Sequence, residues 1–257
     1  TRTAKSLGGL SDVAWRAEGD GWTAIAPLAE PPMDSLWREA ERALAGNPEL
    51  LAYVRHCGTL MAGVLTGRES PLETLFPDGS PDLAIGLYER SQTMRWVNGL
   101  AAAALEALGA ATPAGHQLRV LEVGAGTGGT TSALLRVLPP ERTRYRFTDV
   151  SDFFFHQARE RLAAYPFVEY DRFDIDADAP AQGFADGTID VVVSANAVHA
   201  SRDLRVALSR LRAMLAPGGL LVLVESTTHH AWFDMTTGLI EGWQHFDDDL
   251  RSDNPLL

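Results

Sequence analysis

The chain has 257 residues, 46% of them apolar and 22% charged, which is the composition of a globular protein with a sizeable core. Its 34 acidic and 22 basic side chains give a formal net charge of −12, which disfavours a nucleic-acid partner. No apolar run reaches the roughly 18 residues that a membrane helix needs, so we expect no membrane partner. The single cysteine, Cys57, excludes an internal disulfide and indicates a reducing, cytoplasmic location.

The N-terminal part of the chain is predicted to be helical. The chain starts without Met and without an apolar signal segment, so we expect a piece of a longer polypeptide. Its first thirty residues are rich in glycine and proline and predict irregular structure. Apolar residues at helical spacing then predict helices over about 34–46, from Pro48, and over about 82–108. We therefore expect residues 1–112 to form a helical subdomain with no strand.

Strands and helices alternate beyond the breaker-rich segment 109–115, which we take as the boundary of a second domain over 113–257. This alternation predicts a Rossmann-like α/β fold, a doubly wound parallel sheet covered on both faces. After the fifth strand we expect one helix, over about 231–243, and no antiparallel strand pair. The predicted strands lie near 118–123, 144–148, 168–173, 189–194 and 220–225, and the predicted helices near 129–138, 151–164 and 202–215.

A glycine-rich segment follows the first predicted strand, where the chain turns into a helix. Glycines there let the backbone turn sharply and approach a ligand closely. Gly124, Gly126 and Gly129 match the spacing of dinucleotide-binding proteins. Gly124, Gly126 and Gly128 match the spacing of proteins that bind S-adenosylmethionine. The loop alone therefore leaves both a nicotinamide oxidoreductase and a methyltransferase open.

Acidic residues at the ends of the first three strands favour S-adenosylmethionine. Glu122 precedes the first glycine, and a carboxylate there suits a cationic ligand such as a sulfonium better than a pyrophosphate. Asp149 follows the second strand, where a carboxylate can accept both hydroxyls of a ribose. Asp174 and Ile175 follow the third strand, where they could meet the amine and the ring face of adenine.

Several segments together resemble a known family. Residues 118–225 resemble class I S-adenosylmethionine-dependent methyltransferases. Over about 45–257 the chain resembles the methyltransferase domains embedded in modular polyketide synthases and hybrid peptide synthetases, and residues 1–112 then correspond to a helical lid or substrate subdomain. The segments that carry this resemblance are Pro71–Pro77, Leu87–Ser91, Leu121–Thr131, Phe147–Ser151, Tyr165–Val168, Ala195–Ala200 and Glu241–Trp243.

The resemblance implies a cofactor and partners. The cofactor is S-adenosylmethionine, released as S-adenosylhomocysteine. The partners are an acyl carrier protein that bears a phosphopantetheine-tethered polyketide, and neighbouring synthase domains. The residues expected to bind the cofactor are Glu122, Gly124, Ala125, Gly126, Gly128, Asp149, Val150, Asp174, Ile175 and Asn196.

Two further residues are predicted to form a base. His199 lies just past the fourth strand and Glu225 ends the fifth. These strands are neighbours in a doubly wound sheet, about 4.8 Å apart, so both side chains can meet at the ligand-binding edge. A neutral imidazole can take up a proton, and a carboxylate behind it sets the tautomer. In the resembled family this pair is a dyad, and Tyr88 matches a lid tyrosine that faces the substrate.

The acceptor of the methyl group is open at this point. A β-hydroxyl or enol oxygen and the α-carbon of a β-keto thioester both fit such a base. Carbon-methylating members of the resembled family have a larger lid than the about 115 residues that precede the glycine loop, so we expect oxygen. A nicotinamide oxidoreductase and an inactive packing module also stay open as functions. We expect no metal site, because the residues around His229 and the 247–249 run resemble a solvated loop and a solvated acidic face.

Overall fold

A computed structural model describes residues 15–19, 21–25, 31–240, 242–252 and 254–256. The described residues form two compact units. The first comprises those within Thr1–Leu83 and His229–Glu241, and the second those within Ala84–Thr228 and Gly242–Leu257. None of the helices in these residues combines the length and apolarity that a bilayer crossing requires.

The first unit begins with a hairpin that the sequence did not predict. Strands β1 (Trp15–Glu18) and β2 (Gly21–Ala24) pair antiparallel, and Gly19 in the turn has φ +58°. The expectation of no strand in residues 1–112 is therefore wrong. Each strand has only four residues, too few for an alternating pattern to be read, and the glycines between them predicted an irregular loop instead.

The rest of the first unit is helical. Helix α1 spans Met33–Ala43 and α2 spans Pro48–Leu65, and 3₁₀ turns follow at Pro71–Thr74 and Pro77–Gly79. Cys57 of α2 is fully buried, and burial raises the pKa of its thiol to about 11. This cysteine therefore stays protonated and packs as a small apolar residue.

The predicted helix over 82–108 is broken in the structure. Helix α3 (Asp82–Ile85) continues into a π-helical turn at Gly86–Arg90, and α4 (Gln92–Ala111) begins separately. The break lies at Ser91, whose backbone is extended at φ −58° and ψ 147°. Its hydroxyl accepts a hydrogen bond from Met94 N at 3.3 Å and so caps α4.

The second unit contains the predicted parallel sheet. Its five strands lie in the order β5-β4-β3-β6-β7, and each pair of neighbours is parallel. The strand order reverses between β3 and β6, which marks the crevice where ligands bind in such sheets. The strands are β3 (Leu118–Val123), β4 (Thr143–Asp149), β5 (Val168–Arg172), β6 (Ile189–Ala195) and β7 (Leu215–Val224), and the helices between them are α5 (Gly129–Leu134), α6 (Phe155–Arg161) and α7 (Leu204–Met214).

The two faces of the sheet bury separate apolar clusters. Val120 packs with Tyr145 on one face, and Leu121 packs with Val192 on the other, as the alternation along a strand requires. Leu105 of α4 belongs to the first cluster. Helix α4 therefore packs with the sheet, and this is why the structure divides the chain at 83/84 where the sequence predicted 112/113.

The chain after the sheet also differs from its prediction. Strand β7 starts earlier than expected, because it continues through a register shift opposite Ile189 and Val191. Among the described residues β7 pairs only with β6, and no strand follows it. The helix expected over 231–243 is reduced to α8 (Ala231–Asp234) and a 3₁₀ turn at Thr237–Leu239, both in the first unit.

Gly124 ends β3 in a conformation that only glycine adopts easily. Its φ is +68°, and a Cβ atom there would lie 2.3 Å from the Cβ of Ala197, in the segment after β6. The glycine loop and this segment therefore approach each other without space for a side chain.

We predict that Gly124→Ala lowers the free energy of unfolding by about 3 kcal/mol, through backbone strain and the contact with Ala197. Urea denaturation measures this loss. Gly115→Ala is the matched control, because no atom lies within 4 Å of a Cβ there and its φ is not positive. We expect the control to stay within about 0.5 kcal/mol of the unsubstituted chain, and equal losses in the two variants would contradict the prediction.

Candidate active site

The glycine loop is held against the end of β4 by its own backbone. Ala125 N donates to Thr148 O at 2.9 Å, and Gly126 N donates to the carboxylate of Asp149 at 3.0 Å. A Cβ atom at Gly126 would meet no protein atom within 4 Å, so the loop is open on that side. The loop is thus fixed to the end of β4, and its open side at Gly126 can receive a ligand.

Glu122 lies near the end of β3, just before this loop, and is 1% exposed. Its Oε2 accepts hydrogen bonds from Thr131 Oγ1 at 2.5 Å and from the hydroxyl of Tyr145 at 2.7 Å. Burial raises the pKa of this carboxyl to about 7, although the two hydroxyl groups act in the opposite direction. The sequence predicted a direct contact with a cationic ligand. The structure instead shows a buried group that joins the start of α5 to β4.

Asp149 and Val150 follow each other at the carboxyl end of β4. The two oxygens of Asp149 accept hydrogen bonds from Gly126 N and Ser151 N, each at 3.0 Å, and burial raises the pKa of its carboxyl. Each carboxylate oxygen can accept more than one hydrogen bond, so these contacts leave capacity for hydroxyl donors. Val150 is 58% exposed beside it. An acceptor and an apolar surface therefore adjoin at the carboxyl end of β4.

Asp174 and Ile175 are connected to a different part of the unit. Asp174 is exposed and hydrogen-bonds within its own loop, to Gln182 and Asp176. Ile175 packs against the apolar cluster on the α7 side, and its carbonyl accepts from Arg210 of α7 at 2.9 Å. These contacts tie the loop after β5 to α7, and none of them reaches the glycine loop.

Asn196 ends β6 with a positive φ of +52°, which asparagine tolerates better than most residues. Its N–H donates to Val224 O at 2.8 Å, so the pairing of β6 with β7 extends past the strand end. Its side-chain nitrogen lies 3.6 Å from Met94 Sδ of α4. This arrangement starts the turn that leads to His199.

His199 and Glu225 meet beyond the ends of β6 and β7. His199 Nδ1 lies 2.6 Å from Glu225 Oε2, and the other oxygen of Glu225 accepts from Ala197 N at 2.9 Å and from Val198 N at 2.7 Å. The side chain of Glu225 is almost fully buried, and the imidazole is slightly exposed. The carboxylate therefore holds both the ring of His199 and the backbone that leads to it.

The ring of Trp243 contacts the imidazole of His199, with centroids 5.3 Å apart and an edge-on geometry. Trp243 belongs to the segment Glu241–Trp243, one of those that carry the family resemblance, and Glu241 lies outside the described residues. Trp243 thus gives the imidazole a second orienting contact.

Tyr88 lies in the π-helical turn, beside the start of α5. Its carbonyl accepts from Asn98 Nδ2 at 3.2 Å, and a Cβ at Gly129 would lie 2.7 Å from the same oxygen. Asn98 also accepts from Thr130 Oγ1 at 2.9 Å. The backbone of Tyr88 is therefore held directly against the helix that follows the glycine loop, and π-helical turns of this kind are frequent at functional sites.

Arg161 contacts the glycine loop, which no pattern in the sequence indicated. Its guanidinium donates to Thr127 O of the glycine loop at 2.6 Å and pairs with Glu89 of the π-helical turn at 2.5 Å. Glu89 and Arg161 are 72 positions apart, so no local pattern could have indicated the contact.

The described residues contain no group of three His, Cys, Asp or Glu side chains placed to hold a metal ion. His229 does contact Asp234, with Nε2 and Oδ1 3.0 Å apart, but as an isolated pair in the first unit.

The chain is similar in sequence to a known family and to curated proteins. A family model described as a methyltransferase domain matches residues 121–221. The polyketide synthase ThaQ of Burkholderia thailandensis is 35% identical over 91% of this chain, which corresponds to 12% of that synthase. The chain thus spans about a tenth of the length of the curated relatives it matches.

Comparison with solved structures covers the whole chain. The crystal structure of the CurJ carbon methyltransferase has a TM-score of 0.90 and 34% identity, over 100% of this chain and 69% of that one. The DszA carbon methyltransferase has a TM-score of 0.88 and 30% identity, over 100% and 68%. The trans-methyltransferase CalH, solved in complex with SAH, has a TM-score of 0.73 and 30% identity, over 87% and 62%.

The residues of the site fit S-adenosylmethionine, which the comparisons indicate as the cofactor. The open side of Gly126 admits a ligand close to the backbone. Asp149 keeps acceptor capacity for hydroxyl donors, and Val150 is exposed beside it. A sheet with this strand order, this loop and these relatives leads to one assignment: the chain belongs to the class I S-adenosylmethionine-dependent methyltransferase domains of polyketide synthases.

Proposed function

We propose that this domain methylates the α-carbon of a β-keto thioester tethered to an acyl carrier protein, with His199 as the general base. The hydrogen bond of 2.6 Å between His199 and Glu225 carries the proposal, since it provides a buried carboxylate behind an imidazole at the ligand-binding edge of the sheet. The length of the lid favoured an oxygen acceptor. Similarity over the whole chain to two carbon methyltransferases supports carbon instead.

The hydrogen bond determines which nitrogen acts as the base. An ionised carboxylate only accepts, so Nδ1 of His199 carries the proton that faces Glu225. The lone pair is then on Nε2, which takes the proton from the acceptor. The resulting imidazolium is stabilised by the negative charge of Glu225, and the ring contact with Trp243 keeps the imidazole in place.

The acidity of the acceptor also supports carbon. An α-carbon between two carbonyl groups is more acidic than an isolated hydroxyl, so it matches a base that works near neutral pH. When bound, S-adenosylmethionine supplies an electrophilic methyl group. The protein side of the reaction then consists of holding the acceptor in line and removing one proton.

The remaining residues of the site are proposed to hold the cofactor and the substrate. The cofactor would lie against the backbone of the glycine loop, at Gly124, Ala125, Gly126 and Gly128. Glu122 would stabilise this loop through its hydrogen bonds to Thr131 and Tyr145. Asp149 and Val150 would bind its ribose and adenine, with Asp174, Ile175 and Asn196 at the rim. Tyr88 would face the substrate. The relatives are polyketide synthases many times longer than this chain, which supports delivery of the substrate by a carrier from a neighbouring domain.

We predict that His199→Ala lowers turnover at least about 100-fold, because the base is lost. Its affinity for S-adenosylmethionine, measured by calorimetry, should stay within about twofold, since His199 is not among the proposed cofactor ligands. His156→Ala is the control, because the side chain of His156 is 88% exposed. Wild-type turnover in the His199 variant would remove this residue from the mechanism.

We predict that the new methyl group is found on carbon. The domain is incubated with S-adenosylmethionine and with β-keto or β-hydroxy acyl carriers, and mass spectrometry locates the methyl group. Methyl on the α-carbon of the β-keto carrier is expected. Methyl on oxygen alone would restore the oxygen acceptor, and no product despite bound cofactor would favour an inactive packing module.

Glu122 gives the domain a pH-dependent stability. Its pKa is about 7 in the folded chain and 4.5 as an ordinary glutamate, so the native state binds the proton more tightly than the unfolded state. This contribution to the free energy of unfolding is complete below about pH 4.5 and is lost as the pH rises through about 7.

We predict that Glu122→Gln flattens this dependence, because the amide does not titrate. Urea denaturation between about pH 5 and about pH 8 should show the unsubstituted domain losing more stability than the variant. Glu169→Gln, at an exposed position, is the control. Parallel curves for the Glu122 variant and the unsubstituted domain would contradict the prediction.

A further inference from the structure

A buried ion pair joins the end of the chain to the segment that carries His199. The side chains of Arg251 and Asp248 are 2% and 1% exposed, and Arg251 Nη2 lies 2.7 Å from Asp248 Oδ2. Arg251 Nε donates to the same oxygen at 3.0 Å. The sequence predicted a solvated acidic face over 247–249. That expectation is wrong for Asp248, because a charge three positions further along the chain folds back onto it.

The other donors of the guanidinium reach main-chain carbonyls. Arg251 Nη1 donates to His199 O at 2.7 Å, and Nη2 donates to Ser201 O at 2.7 Å. Asp248 Oδ2 accepts in turn from Leu204 N, the first residue of α7, at 3.0 Å. One ion pair thus holds the backbone from His199 to the start of α7.

The backbone of His199 is therefore fixed from two sides. Glu225 binds the amides of Ala197 and Val198, the two residues before His199, and Arg251 binds the carbonyl of His199. A buried ion pair is weak evidence for stability, since apolar residues in its place are often no less stable. Here the pair does something that an apolar substitute cannot do, because the remaining donors of the guanidinium define where main-chain carbonyl groups lie.

We propose that Arg251, in its ion pair with Asp248, is a positioning residue for His199. The inference rests on the proposed role of His199 as the base. Arg251 acts through the main chain: its fork keeps the carbonyl of His199 in place, so that the ring meets Glu225 and the nitrogen opposite meets the acceptor. A base displaced by about 1 Å loses up to about 100-fold in rate, so this contact bears on turnover.

Arg251→Lys tests the proposal. A lysine keeps the charge opposite Asp248. Its single nitrogen cannot occupy the places of Nε, Nη1 and Nη2, so it lacks the planar fork that joins the carboxylate to both carbonyls. We expect kcat to fall about 10- to 100-fold, while the dissociation constant for S-adenosylmethionine stays within about twofold. In the unsubstituted domain we expect the Nδ1 proton of His199 to resonate downfield because of its short hydrogen bond, and in the variant this signal should move or broaden.

Arg202→Lys is the matched control. Arg202 pairs with Asp247 in the same segment, but its side chain is 66% exposed. Its substitution should leave kcat and the His199 signal unchanged, because an exposed ion pair contributes little to the geometry around it.

A folded Arg251→Lys domain with unchanged kcat and an unchanged His199 signal would overturn the proposal. If Arg251→Lys does not fold, Asp248→Asn tests the same contact by a smaller change and should give the same loss. Unfolding of both variants would also overturn it, because the pair would then be a condition of the fold. An active His199→Ala enzyme would refute the proposed base, while the NMR signal would still report whether Arg251 holds the ring.

Discussion

The site depends on one carboxylate that accepts three hydrogen bonds at the end of the last parallel strand. Glu225 binds two backbone amides and the imidazole of His199, all from the segment after the neighbouring strand. This is possible because β6 and β7 run in parallel, so that their carboxyl ends lie at the same edge of the sheet. The same edge holds the glycine loop, which reaches Ala197 through Gly124. The glycine loop and the proposed base are thus adjacent because of the parallel strand order.

Buried polar side chains hold the loops around this edge. Glu122 holds the helix after the glycine loop, Asp149 holds the loop itself, and Arg251 holds the segment of His199. A buried polar group is costly unless it is hydrogen-bonded, and each of these is bonded to main chain or to hydroxyl groups. Because these groups must be hydrogen-bonded, they fix loop geometry that apolar packing alone leaves free. In this domain buried polar side chains therefore fix the loops that carry the proposed site.

Polar contacts also join residues of the predicted lid to the glycine loop and to α5. Asn98 of α4 binds the carbonyl of Tyr88 and the hydroxyl of Thr130, and Arg161 bridges Glu89 and the glycine loop. The π-helical turn is thereby held against the start of α5.

The sequence by itself determined the parts of the molecule that depend on local patterns. Apolar runs and breakers located all five strands of the sheet, and the order of strands and helices predicted its parallel topology. Placement at strand ends, together with the family resemblance, predicted that His199 meets Glu225, and the two side chains do meet. Tertiary structure alone decided the rest. Helix α4 joins the sheet because Leu105 packs into its core, Glu122 is buried because Tyr145 and Thr131 cover it, and Arg251 binds a carbonyl 52 positions away. Such contacts depend on where distant elements meet, and no periodicity along the chain records that.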